Sequence, residues 1–241
     1  GKGVCMRPSE TQGERGKKKM DLLGSVDGIA PYVRTPEPVL AALFADARPA
    51  RASAGARPKP LAKHVRACLK RDDADTTAPQ TAEISAWIAQ QNALRDPEQE
   101  HPTVLLIDGQ PSLWQAMREA IPGAHVTEIL DLLHVCGYVW EAANLLHPND
   151  SPAAEAAAKR ALRLILHGQV GDVIATLQRH AESSTSTRRE TLERIAGYFD
   201  HHRYRMAYDL YLAEGFPIAT GVIEDACRCL VKDRMERAGM R

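Results

Sequence analysis

The chain has 241 residues, enough for one large domain or a domain carrying an insertion. Apolar content is that of a soluble protein, aromatic residues make up only 5%, and no run approaches the ~20 apolar residues of a membrane span. The formal net charge of zero hides three blocks: residues 1–71 carry +9, residues 72–155 carry −12 and residues 156–241 carry +3. An acidic middle between basic flanks suits a metal-dependent enzyme that handles a polyanion, although such blocks also neutralise one another across folded surfaces. The five cysteines show no paired metal spacing and no disulfide framework, which fits a reducing, cytoplasmic setting without a signal peptide.

In chain order, Gly3 to Met6 reads as the end or edge of a strand, and the basic stretch that follows reads as a loop ending in Lys17-Lys18-Lys19. Met20 to Val33, broken by Gly24 and Gly28, suits one or two twisted strands of a meander. After a Pro-punctuated turn, Val39 to Phe44 is helix-like. Ala47 to Pro60 is loop, Lys63 to Lys70 is a strand or short helix, and Asp72 to Pro79 is an acidic loop. Thr81 starts a helix with Ile84, Trp87, Ile88 and Gln91 on one face.

The stretch from Thr103 to Val135 organises the rest. Val104 to Ile107 is a run of four apolar residues, which predicts a buried strand ending at Asp108-Gly109. Pro111 opens a helix, and Leu113, Trp114, Met117 and Ile121 recur at helical spacing. Val126 to Leu130 then gives a second strand ending at Asp131. Strand, helix, strand predicts a parallel crossover, so Asp108 and Asp131 are expected at the carboxyl edge of one sheet, where α/β proteins bind ligands. Each Asp also fits a helix cap.

Beyond Asp131 the pattern is helical. Helices are expected at Leu132 to Leu146, at Pro152 to about His167 behind the cap Ser151, at Gly168 to Ala181, and as one long or two shorter helices over Thr191 to Leu212. GFPIATG, 215–221, interrupts them, and a final helix is expected from Val222 to Arg237. On it Glu224, Arg228 and Lys232 share a face, which by spacing alone suits a solvent-exposed ion-pair stripe.

Three phrases, LLIDGQPSLW, EILDLLHVCGYVWEAANLLH and PIATGVIEDACRCLVKDRMERAGMR, resemble the signature of bacterial insertion-sequence transposases of the ISKra group. GKGVCMRP, GSVDGIAPYVRTPEPV and HHRYRMAYDLYLAEGFP extend the resemblance over nearly the whole chain. It implies an α/β fold of the RNase H-like kind, a mixed sheet flanked by helices, with an all-α insertion before the last catalytic helix. Residues 1–134 would then form the first part of the core, 135–215 the insertion and 216–241 the final helix.

The same resemblance implies a DDE-type catalytic domain that cuts and joins DNA at insertion-sequence ends with two Mg²⁺ or Mn²⁺ ions. Asp108 and Glu224 are the implied metal-binding catalytic carboxylates. Asp131 and His134 fall on a DxxH block with a supporting role, and Arg228, Lys232 and Arg234 are expected to meet DNA phosphates. The implied partners are the element's ends and the target DNA, with homo-oligomerisation in the manner of transposases and no membrane. The family's first catalytic Asp immediately precedes the Gly-Lys-Gly found here as Gly1-Lys2-Gly3. The expectation is therefore a chain truncated at both ends, lacking that Asp and with little activity. Asp225 stands where the family has a small residue. Another RNase H-like nuclease and a non-catalytic DNA-binding remnant are the competing readings.

Overall fold

The computed structural model describes residues 2–8, 20–44, 58–69, 78–123, 125–149 and 151–220. The expected final helix from Val222 to Arg237 lies outside the described residues, and so do most of the loops read at 9–19, 47–60 and 72–79. The chain divides into two compact units, Gly1–Pro31 with Arg57–Ile129, and Tyr32–Ala56 with Leu130–Arg241.

The first unit is a mixed α/β layer. Its strands are β1 (Lys2–Pro8), β2 (Met20–Gly28), β3 (Leu61–Leu69), β4 (Thr103–Ile107) and β5 (Val126–Leu130), in sheet order β3-β2-β1-β4-β5. β1 runs antiparallel to β2 and parallel to β4, and β2 runs antiparallel to β3. Gly3 to Met6, read as the end or edge of a strand, lie within β1, which is the middle strand of the sheet, and the segment from Lys63 is strand, not helix.

β4 is buried along its whole length, as its uninterrupted apolar run requires. Helix α2 (Ala78–Arg95) begins three residues before Thr81 and lays Ile84 and Ile88 on the sheet, both fully buried. It can approach so closely because β2 has Gly24 beneath it. A Cβ there would stand 3.0 Å from Ile84 Cγ2 and 3.1 Å from Ile88 Cδ1. Helix α3 (Pro111–Ala120) opens on its proline and buries Leu113, Trp114 and Met117 of the predicted set, while the fourth member, Ile121, is buried as the residue just past its end.

The second unit is helical. It contains α1 (Pro36–Leu43), α4 (Leu132–Leu146), α5 (Pro152–Leu166), α6 (Val170–Glu182), α7 (Ser186–His202), a 3₁₀ turn (Arg203–Arg205) and α8 (Tyr208–Ala213). α4 has the bounds that the periodicity predicts. α5 starts behind Ser151, whose side chain accepts a hydrogen bond from Ala154 N at 3.2 Å. α6 buries Val170, Val173, Ile174 and Leu177.

The sequence places α1 with the first part of the core, whereas contacts place it with the helices. Glu37 accepts from Arg163 Nε at 3.1 Å and Nη2 at 3.2 Å, while Val39, Leu40 and Leu43 are buried. Among the described residues no helix is long and apolar enough to cross a membrane.

Candidate functional site

Asp108 leaves the end of β4, in the first unit. It is 7% exposed, and its Oδ1 accepts a hydrogen bond from Gln110 N at 3.2 Å, an Asx turn that leads into α3. A buried carboxylate at a strand exit offers the hard oxygen donors that Mg²⁺ prefers. Among the described residues no three His, Cys, Asp or Glu side chains gather as a metal site. Glu224, Arg228, Lys232 and Arg234, the expected third carboxylate and phosphate contacts, lie outside the described residues.

The register of β1 bears on the first carboxylate. Lys2 pairs with Thr103 and Met6 with Ile107, so Asp108 lies past the far end of this parallel pair. Thr103 precedes Asp108 by five residues, about 16 Å at ~3.3 Å per residue. Two carboxylates bridging ions ~4 Å apart need to be much closer.

Asp27 offers no substitute. It pairs with Gly3, which pairs with Val104, at the entry end of β4. Burial pushes the Asp27 carboxyl above its ordinary range, and the cations Lys63 and Arg95 pull it partly back. A raised pKa means that ionisation costs stability in the fold, a cost absent below the unfolded value of 3.8 and complete once pH passes the folded value. Asp27→Asn is therefore expected to raise the melting temperature at pH 7, with the gain vanishing near pH 3. A thermal-unfolding series across that range checks it, and equal melting temperatures at pH 7 would contradict it.

Asp131 and His134 belong to the second unit. Asp131 follows β5 as expected, and it is the N-cap of α4: Leu133 N donates to its Oδ1 at 2.9 Å. The cap reading of this residue is thus realised. Its Oδ2 accepts from Thr220 Oγ1 at 2.5 Å, within the short range of a charge-assisted O–H···O⁻ bond. His134 sits one turn on, exposed, with its ring edge-on to Tyr138 at 5.3 Å and tilted to Tyr198 at 6.1 Å. Tyr138 and Tyr198 stand 4.3 Å apart, and the Arg194 guanidinium lies over Tyr138 at 5.6 Å.

Around Asp131 the chain 215–220 is fastened by hydrogen bonds from two sides. Tyr32 N donates to Gly215 O at 3.0 Å and Arg34 Nη2 to Phe216 O at 2.7 Å. On the other side Leu132 N donates to Ile218 O at 2.9 Å. Thr220 is the residue that sequence reading missed. It stands in the segment taken as a plain interruption of the helices, and only its position just before a predicted helix start hinted at a fastening role.

Tyr208 donates from its hydroxyl to Leu130 O at 2.8 Å. Burial raises the phenol well above its ordinary value of 10.0, with the Asp131 charge adding to it. The unfolded chain therefore loses this proton first, so stability held below pH ~10 falls as pH rises beyond it. Tyr208→Phe removes that fall while leaving Leu130 O short of a donor, a cost of about 1–3 kcal/mol at neutral pH. Denaturant titrations at pH 7 and pH 11 should show the variant weaker at the first and its alkaline loss smaller. The chain matches no protein-family model, no curated protein and no solved structure.

Proposed function

We propose that the chain is the catalytic domain of a DDE-type transposase of RNase H-like fold, which cleaves and joins DNA at the ends of an insertion element. The observation that carries this is the mixed sheet with β1 at its centre and the buried carboxylate of Asp108 at the exit of the neighbouring strand β4. The three quoted motifs support it. Asp108 and Glu224 would hold the ions, and Arg228, Lys232 and Arg234 would meet phosphates. Two bound Mg²⁺ or Mn²⁺ ions supply activation of the attacking oxygen and stabilisation of the leaving one in an in-line displacement. DNA is the partner, and self-association goes with it.

A second reading, a DNA-binding remnant without chemistry, is favoured by the register that sets the start of β1 about 16 Å from Asp108. One experiment separates the two. The protein is made with an Asp directly before Gly1 and assayed for Mg²⁺-dependent nicking and strand transfer on DNA carrying the element's ends. Cutting and joining support the transposase, and cutting without joining supports another RNase H-like nuclease. Metal-independent binding with no cutting supports the remnant.

A further inference from the structure

Strand β3 ends one side of the sheet, and among the described residues no strand pairs with its outer edge. The pleat divides its side chains between two faces. His64 and Arg66 stand beside Val26 and Gly24 of β2 and look toward α2. There His64 Nδ1 lies 2.8 Å from Gln91 Oε1, and Arg66 Nη2 donates to Glu83 Oε1 at 2.6 Å. Lys63 and Val65 take the face away from α2, where Val65 is 55% exposed.

An open edge is a template for another strand, and natural edges are guarded by unpaired charges, by bulges or by short length. The guards of β3 are weak. The strand is nine residues long, and its register shifts only toward its ends, between Val26 and Gly28 and between Met20 and Leu22. Ala62, in the left-handed region at φ +46°, marks the first of these irregularities. From His64 to Cys68 the pairing is regular. Arg66 is neutralised by Glu83, and the charge of Lys63 acts on Asp27 within its own sheet.

We propose that the outer edge of β3 is an interface for a second copy of this chain, with the two β3 strands antiparallel about a two-fold axis through Val65 and the two five-stranded sheets joined into one. An axis normal to the sheet keeps both α2 helices on the same face, and one residue of β3 must then stand opposite itself. If that residue is Lys63 or Arg66, like cations meet directly, which destabilises the pair. If it is His64, the irregular Ala62 is drawn into the ladder opposite Arg66. At Val65, two exposed β-branched side chains meet on the face away from α2, and His64 stands opposite an Arg66 that Glu83 already neutralises. The two lysines then lie four positions apart, about 13 Å at ~3.3 Å per residue, beyond the ~8 Å over which exposed charges act at physiological salt. This contact involves only the first unit and is independent of the transposase reading.

The test is sedimentation equilibrium of the whole chain across the micromolar range, for wild type, Val65→Lys, Val65→Glu and an equimolar mixture of the two variants. Wild type is expected to dimerise. Each variant sets like charges face to face on the axis and is expected to raise the dimer dissociation constant about tenfold, whereas the mixture sets Lys against Glu and regains the dimer. A wild type that stays monomeric overturns the proposal and leaves the edge to a strand of another protein. Variants that dimerise as well as wild type, or a mixture as weak as its components, also overturn it, because the copies then meet elsewhere.

If the charged variants do not fold, Val65→Cys decides. Directly opposed Cα atoms about 4.5–5.5 Å apart lie within reach of a disulfide, so mild oxidation is expected to link two copies through position 65. Wild type treated alike controls for the native cysteines, and no linked dimer beyond that control overturns the proposal.

Discussion

On the proposed transposase reading, Asp108→Asn in the protein carrying an Asp before Gly1 is expected to cut Mg²⁺-dependent nicking by about a thousandfold while shifting the melting temperature little. The two expectations have separate causes. Asn keeps the shape of Asp and an oxygen that accepts from Gln110 N, so the turn from β4 into α3 is preserved. What it loses is the negative charge. Metal stabilisation of the transition state is worth several kcal/mol, and at about 1.4 kcal/mol per tenfold this gives the thousandfold. Nicking rates and melting curves on the same preparations check both halves. Retained cutting would remove Asp108 from the site, and a collapse of the melting temperature would mean that its role is structural.

Trp114→Ala is expected to cost about 3–5 kcal/mol, enough to unfold much of the first unit at 37 °C. Trp114 is 1% exposed and is among the largest fully buried side chains. It lies on α3 with Leu113 and Met117, both fully buried, so truncation opens a cavity in a close-packed interior. Urea unfolding followed by circular dichroism measures it. A cost below ~1 kcal/mol would show that the α3 face is loosely packed. Trp114→Phe, which keeps most of the volume, should fall well short of the alanine cost.

Local pattern made several elements legible. The run Val104 to Ile107 shows that β4 has no wet face, and the spacing of Leu113, Trp114 and Met117 gives the buried side of α3. Ser151 followed by Pro152 marks the start of α5 because an oxygen acceptor and a fixed φ are what a first turn needs. The helix from Leu132 to Leu146 is bounded by its own cap, Asp131, at one end.

What pattern could not supply is pairing at a distance. That β1 is the middle of the sheet depends on partners near Thr103, about a hundred residues away in sequence. α1 joins the helices through Arg163, 126 residues downstream. Thr220 reaches Asp131 across 89 residues. No window of ten or fifteen residues contains such information. The surroundings of Asp131 were half legible for the same reason: its place at a strand end and its cap bond from Leu133 N are local and readable, whereas its second partner, Thr220, is not.

Burial of α1 against α5 has to wait during synthesis, because its partners there are made more than a hundred residues later. The ion pair of Glu37 with Arg163 spans 126 residues, and a ribosome adding ~5–20 residues per second takes roughly 6–25 s to cover that interval. Throughout it Val39, Leu40 and Leu43 have emerged without the helices they are to pack against. The newborn chain thus carries a sticky apolar helix for seconds, which makes it a natural client for holding chaperones and ties the yield of folded protein to translation speed.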